Sequence, residues 1–114
     1  MKLAQTTSNL LPRLVPLDAK AESCFPVLNG PPETVTMRSG YVTLRSRESV
    51  GRHSTAANEE LLVVLSGAGE MCFPAHESLQ LLAPCTAYCP PHTEHDVTNT
   101  GKEPLRYVYI VAKA

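Results

Sequence analysis

The run Gly51-Arg52-His53-Ser54-Thr55-Ala56-Ala57-Asn58-Glu59-Glu60-Leu61-Leu62-Val63-Val64-Leu65-Ser66-Gly67 decides how this chain is read. A histidine precedes an unbroken apolar stretch, a carboxylate stands where that stretch begins, and a glycine closes it. Both parities are apolar: Leu62 and Val64 share a face with Glu60, while Leu61, Val63 and Leu65 share the other. Such a strand is covered on both sides. One face is expected to line an interior, and the other to pack on a second sheet or a second subunit. Leu105-Arg106-Tyr107-Val108-Tyr109-Ile110-Val111 reads similarly. A second informative run, Cys89-Pro90-Pro91-His92-Thr93-Glu94-His95-Asp96-Val97-Thr98-Asn99, again sets histidine against a strand-like stretch. Two neutral imidazoles and a carboxylate can hold a divalent metal while leaving positions open for substrate.

Outward from these runs the pattern is all-β. Strands are expected at Thr34–Met37, Tyr41–Arg47, Glu60–Ser66, Glu70–Phe73, Ser78–Leu82, Thr86–Cys89, His95–Thr98 and Leu105–Val111. Ser39-Gly40, Gly67-Ala68-Gly69 and Asn99-Thr100-Gly101 read as the turns between some of them. No amphipathic helix, repeat or low-complexity tract interrupts the series. Many short strands in a small chain predict a sandwich or barrel, because closure removes exposed edges. Residues 1–32 carry Pro12, Pro16, Pro26, Pro31 and Pro32, too closely spaced for a long regular element. They read as an extended arm with short strand pieces, and residues 33–114 as a single barrel domain.

Composition narrows the function classes. At 114 residues, 43% hydrophobic and 18% charged, the chain suits one globular domain. A net charge of −1 gives no electrostatic reason to expect nucleic acid. No apolar run approaches the roughly 20 residues of a membrane helix. Met1-Lys2-Leu3-Ala4-Gln5-Thr6-Thr7 lacks the apolar stretch of a secretory signal, so a cytoplasmic location is expected. Cys24, Cys72, Cys85 and Cys89 are accordingly expected as reduced thiols. Cys85 and Cys89 fall on one face of their strand, as small buried residues or, alternatively, as a thiol ligand or redox pair.

The two runs resemble the signature motifs of the cupin superfamily. His53 takes the place of the first histidine of the first motif, Glu60 of its glutamate and Gly67 of its closing glycine. Pro90, His95 and Asn99 match the proline, histidine and asparagine of the second motif with spacing intact. The resemblance covers residues 34–112 and implies a double-stranded β-helix, the jelly-roll barrel. It departs at Thr55, where the family has its second histidine, and at Arg47, Pro84 and His92, where the motifs have glycine. Arg47 and Pro84 bear mainly on backbone geometry, whereas Thr55 removes a nitrogen ligand.

The resemblance implies that His53, Glu60 and His95 point into the barrel as ligands for Fe, Zn, Mn or Ni. Thr55 and His92 are the catalytic candidates, Thr55 by positioning a metal-bound water and His92 by moving protons or swinging in as a third histidine. Glu59 falls on the face opposite Glu60, Glu94 reads as solvated, and Asn58 and Asn99 as turn-satisfying groups. Arg45 and Arg47 would share one strand face with Tyr41 and Thr43, either as a solvated edge or as partners of a substrate carboxylate or phosphate. Tyr88, Tyr107 and Tyr109 read as core aromatics, and His76 as an exposed turn residue. Two functions remain open: a metal-dependent enzyme of dioxygenase or isomerase type on a small organic substrate, and a non-catalytic module binding an acidic metabolite or sugar. Apolar character on both faces of Glu60–Ser66 favours a homodimer.

Overall fold

The run after Thr55 forms β3 (Asn58–Ser66), with Glu60, Leu62 and Val64 buried and Leu61 and Leu65 exposed. In the computed structural model, which describes residues 10–114, it is one of eight strands, and no helix occurs among those residues. The others are β1 (Phe25–Asn29), β2 (Arg38–Leu44), β4 (Ala68–Phe73), β5 (His76–Leu82), β6 (Cys85–Cys89), β7 (Asp96–Asn99) and β8 (Leu105–Lys113). No helix is long and apolar enough to cross a membrane.

All named pairings are antiparallel. One sheet has the order β1-β2-β8-β3-β6 and the other β5-β4-β7. β8 is central, pairing Tyr41 with Val108 on one side and Glu60 with Val111 on the other. Between the sheets lie Leu44, Leu62, Val64, Met71, Leu81, Val97, Leu105 and Tyr107, one continuous apolar core. Truncating such a residue, Leu62→Ala for example, costs about 2–5 kcal/mol through lost transfer energy and the cavity left behind. The segment between Arg47 and His53 runs beside β7: Val50 N–H donates to Val97 O at 3.0 Å, and His53 and His95 bond each other's backbone at 2.9 Å. The smaller sheet is thereby extended toward the opening of the barrel.

Several expected elements differ. Thr34–Met37 is not a strand; residues 31–37 form the turns that reverse the chain between β1 and β2. Gly30, at φ +84°, starts that reversal, and Glu33 N–H donates to its carbonyl at 2.9 Å. Ser39-Gly40 is not a turn but lies inside β2. A Cβ on Gly40 would stand 2.6 Å from the Tyr109 ring, so glycine there admits a ring rather than a bend. Arg45 and Arg47 lie beyond the end of β2 and share no strand face. Tyr88 is not a core residue: it is 53% exposed, its hydroxyl donating to Glu59 at 2.7 Å on the outer face.

Within the expected arm, Phe25–Asn29 pairs with β2, and Phe25 stacks on Tyr41 at 4.8 Å. Residues 10–24 carry no strand, and Tyr41 donates to Ala19 O at 3.0 Å. Residues 1–9 of the arm lie outside the described residues.

Candidate metal centre

Glu60 reaches the barrel interior because β3 alternates and its even positions face inward. His95 is placed just before β7, paired across the backbone with His53. The ligand atoms of His53, Glu60 and His95 all lie within 4.8 Å of one another. Glu60 and His95 are buried, at 6% and 1% exposure, while His53 stands at the solvent-facing rim.

Both imidazoles are oriented by their Nδ1 atoms. His53 Nδ1 lies 2.8 Å from Gly51 O, and His95 Nδ1 lies 2.9 Å from Thr93 O. A backbone carbonyl only accepts, so each Nδ1 carries the proton and each Nε2 is left as the ligating atom. His95 Nε2 stands 2.9 Å from Glu60 Oε1. A lone pair facing a carboxylate at this distance requires a positive centre between them, either a proton or a metal ion. Hydrogen bonding to Glu60 raises the His95 pKa above its ordinary value, against the opposing effect of burial. Two donors each about 2.1 Å from one ion, at right angles, stand about 3 Å apart. The His95–Glu60 spacing therefore suits two ligands of one divalent ion, and His53 is the third residue whose ligand atom lies within reach of both.

The site opens into a cavity of about 510 Å³ lined by Thr55, Arg38, Arg52, Tyr107 and Tyr109 together with the three donors. Burial pushes the Tyr107 hydroxyl well above its ordinary range, so it is a proton donor at neutral pH. Thr55 Oγ1 donates to Asn58 O at 2.9 Å, leaving only its lone pairs for the cavity. His92 is not brought to this centre. It is exposed and lines a separate cavity of about 240 Å³ with His76 and Glu94. His76 begins β5, and Phe73 lies edge-on to it at 6.1 Å.

The other motif positions have backbone roles. Arg47 and His92, standing where the motifs have glycine, hold φ of +72° and +56°. The left-handed conformation is thus kept although the residue that favours it is absent. Asn99 is wholly buried, donating to Leu44 O at 2.9 Å and Glu103 O at 2.8 Å. All four cysteines are free. Cys85 and Cys89 face inward on β6, and Cys89 Sγ lies 3.3 Å from His95 Nδ1. Burial pushes the Cys89 thiol up to about 11, which suppresses the thiolate a redox role needs.

The cupin resemblance points to His53, Glu60 and His95, but nothing in it points to Arg38, Arg52 or the pocket faces of Tyr107 and Tyr109. A signal for Arg38 existed: it shares β2 parity with Val42 and Leu44, whose apolar character marks the inward face.

Residues 40–111 match the cupin domain family. The chain belongs to the cupin family. Among solved cupins, an RmlC-like protein with a double-stranded β-helix fold from Methanocaldococcus jannaschii aligns at TM-score 0.75 and 13% identity, over 91% of this chain and 93% of that one. The cupin domain of Schizosaccharomyces pombe Cnp3 aligns at TM-score 0.70 and 16% identity over 80% of this chain, which spans only 60% of the Cnp3 domain chain. A predicted oxalate decarboxylase from Thermotoga maritima aligns at TM-score 0.66 and 14% identity, over 90% of this chain and 100% of that one. Curated proteins gave no sequence match. At these identities the likeness shows the double-stranded β-helix and no more.

Proposed function

We propose that this cupin is a metal-dependent enzyme acting on a small organic substrate, with His53, Glu60 and His95 holding a divalent ion. The observation that carries this reading is the 2.9 Å approach of His95 Nε2 to Glu60 Oε1 beneath an open cavity. Iron, zinc, manganese or nickel would supply Lewis acidity, and iron also oxygen chemistry, in dioxygenase- or isomerase-like turnover. The chain's own contributions are separable. Thr93 O and Gly51 O hold the imidazoles in the ligating tautomer. Tyr107 offers a hydroxyl proton toward bound substrate, and Thr55 offers a lone pair at the cavity wall. Residues 33–114 act as one barrel with the arm as its accessory, in the cytoplasm and as a homodimer, with neither nucleic acid nor membrane as partner.

Elemental analysis of protein purified without added metal or chelator tests the reading, alongside His95→Ala. About one equivalent of metal in the wild type and almost none in the variant is the expected result. Full occupancy in the variant would refute the assignment. Thr55 favours a second reading, because a three-donor set binds less tightly than the family's four. If the wild type holds no metal even after reconstitution, the cavity serves a non-catalytic module for an acidic metabolite or sugar.

A further inference from the structure

The metal donors account for only one wall of the cavity. Its lining also contains Arg38 and Arg52, and Glu60 is the only carboxylate among the lining residues. Glu60 is already engaged by His95, and the other ion pair among the described residues joins Arg106 to Glu22. Among the described residues neither cavity guanidinium forms an ion pair with a carboxylate. An ion at the donor triad would add further positive charge to the same space.

Arg38 is an exposed residue at the cavity mouth whose stem lies against the turn at Gly30. A Cβ on Gly30 would stand 2.9 Å from Arg38 Cγ and 3.3 Å from its Cδ, so a bare glycine lets the aliphatic stem lie against the turn. Arg38 pairs with Val111 across β8 and with Asn29 across β1, which fixes its Cα beside the cavity wall. Tyr109 occupies the neighbouring wall because Gly40 leaves room for its ring. Tyr107, 3% exposed, adds a hydroxyl donor. The cavity thus offers planar cationic forks and phenol donors to an anion, over an apolar floor of Val42 and Val97.

From this we infer that the cavity takes a small organic acid with two oxygen-bearing ends, one end toward the metal donors and a carboxylate held by Arg38 and Arg52. The inference rests on the metal reading for the first end and on the arginines alone for the second. A volume of about 510 Å³ admits such a molecule without displacing a side chain.

The test uses the full chain loaded with Zn(II), with zinc content measured separately and ligand affinity read by calorimetry. The probes are malonate, its neutral analogue malonamide and inorganic phosphate. Malonate is expected to bind, and malonamide to bind about tenfold or more weakly. Arg38→Gln and Arg52→Gln should each weaken malonate about tenfold while zinc content and melting temperature stay at wild-type values. Arg38→Lys should restore only part of the loss, because an ammonium cannot form the two-pronged contact. Wild-type malonate affinity in the double glutamine variant, with zinc retained, overturns the inference and leaves the metal reading standing. Phosphate binding more tightly than malonate overturns the carboxylate assignment. If the wild type takes up no zinc, the metal reading fails by itself. Malonate binding to that metal-free protein that vanishes in Arg38→Gln still supports the carboxylate site; binding indifferent to both arginines, or no binding, overturns it.

Discussion

Glu60 and His95 form a pair whose charge state depends on what lies between them. Without an ion, the shared proton favours the folded protein, because hydrogen bonding to Glu60 raises the His95 pKa above its ordinary value of 6.5. That stabilisation is complete below the unfolded value and is lost as pH rises through the higher folded one. The melting temperature of metal-free protein should therefore fall as pH rises above about 6.5, and His95→Asn should remove the trend. An ion competes with the same proton, so the sign reverses for metal affinity. Zinc titrations should show binding that strengthens as pH rises through 6.5 and beyond. Affinity independent of pH over that range would mean the ion does not use His95. At this scale the sequence was most legible where spacing carried the information. His53, Glu60 and His95 lie with their ligand atoms within 4.8 Å of one another, a proximity that the cupin motif implies, while strand parity bears on Glu60 alone. Arg52 was hidden because an arginine in a loop has no characteristic spacing, and Arg38 because its only signal is a parity shared with Val42 and Leu44. Tyr88 misled because aromatic residues favour strands whether or not their face is covered.

Among the elements, β4 shows how closely the smaller sheet is packed. Gly69 pairs with Asn99 of β7, and a Cβ there would stand 2.7 Å from Thr98 O and 2.5 Å from a Leu105 methyl. Leu105 can turn away, but the backbone carbonyl can retreat only by parting β4 from β7. Gly69→Ala should cost about 1–3 kcal/mol, read by chemical denaturation, with zinc affinity also reduced because His95 precedes β7. A stability change below about 0.5 kcal/mol would show that β7 is free to shift. The strands themselves were mostly legible from alternation: β3, β4, β5, β6 and β8 fall where apolar and β-branched residues cluster. Thr34–Met37 failed for a physical reason. Its residues have strand propensity, but two strands cannot become antiparallel neighbours without reversal, and Gly30 commits the chain to reversing there. β1 was obscured by Pro26, which an edge strand tolerates.

For the molecule as a whole, the outer face of the larger sheet is the surface on which the proposed homodimer is tested. Leu61, Leu65 and Tyr88 are 36%, 41% and 53% exposed there, with Val108 and Ile110 beside them on β8. The proposed homodimer would bury this face. Light scattering should give twice the chain mass for the wild type and a monomer for Leu61→Glu/Leu65→Glu with zinc content unchanged. A wild-type monomer at micromolar concentration would remove the dimer. The barrel's topology has another consequence, for the order in which the protein can be made. β3, which carries Glu60, has β8 and β6 as its neighbours, and β8 is synthesised after every other strand of the barrel. While a ribosome is still adding the residues between β3 and β8, β3 has an open edge and the cavity lacks Tyr107, Tyr109 and Val111. Such an unpaired strand is a target for chaperones and for aggregation. The three proposed donors all precede β8, but the walled cavity around them exists only once β8 has joined the sheet.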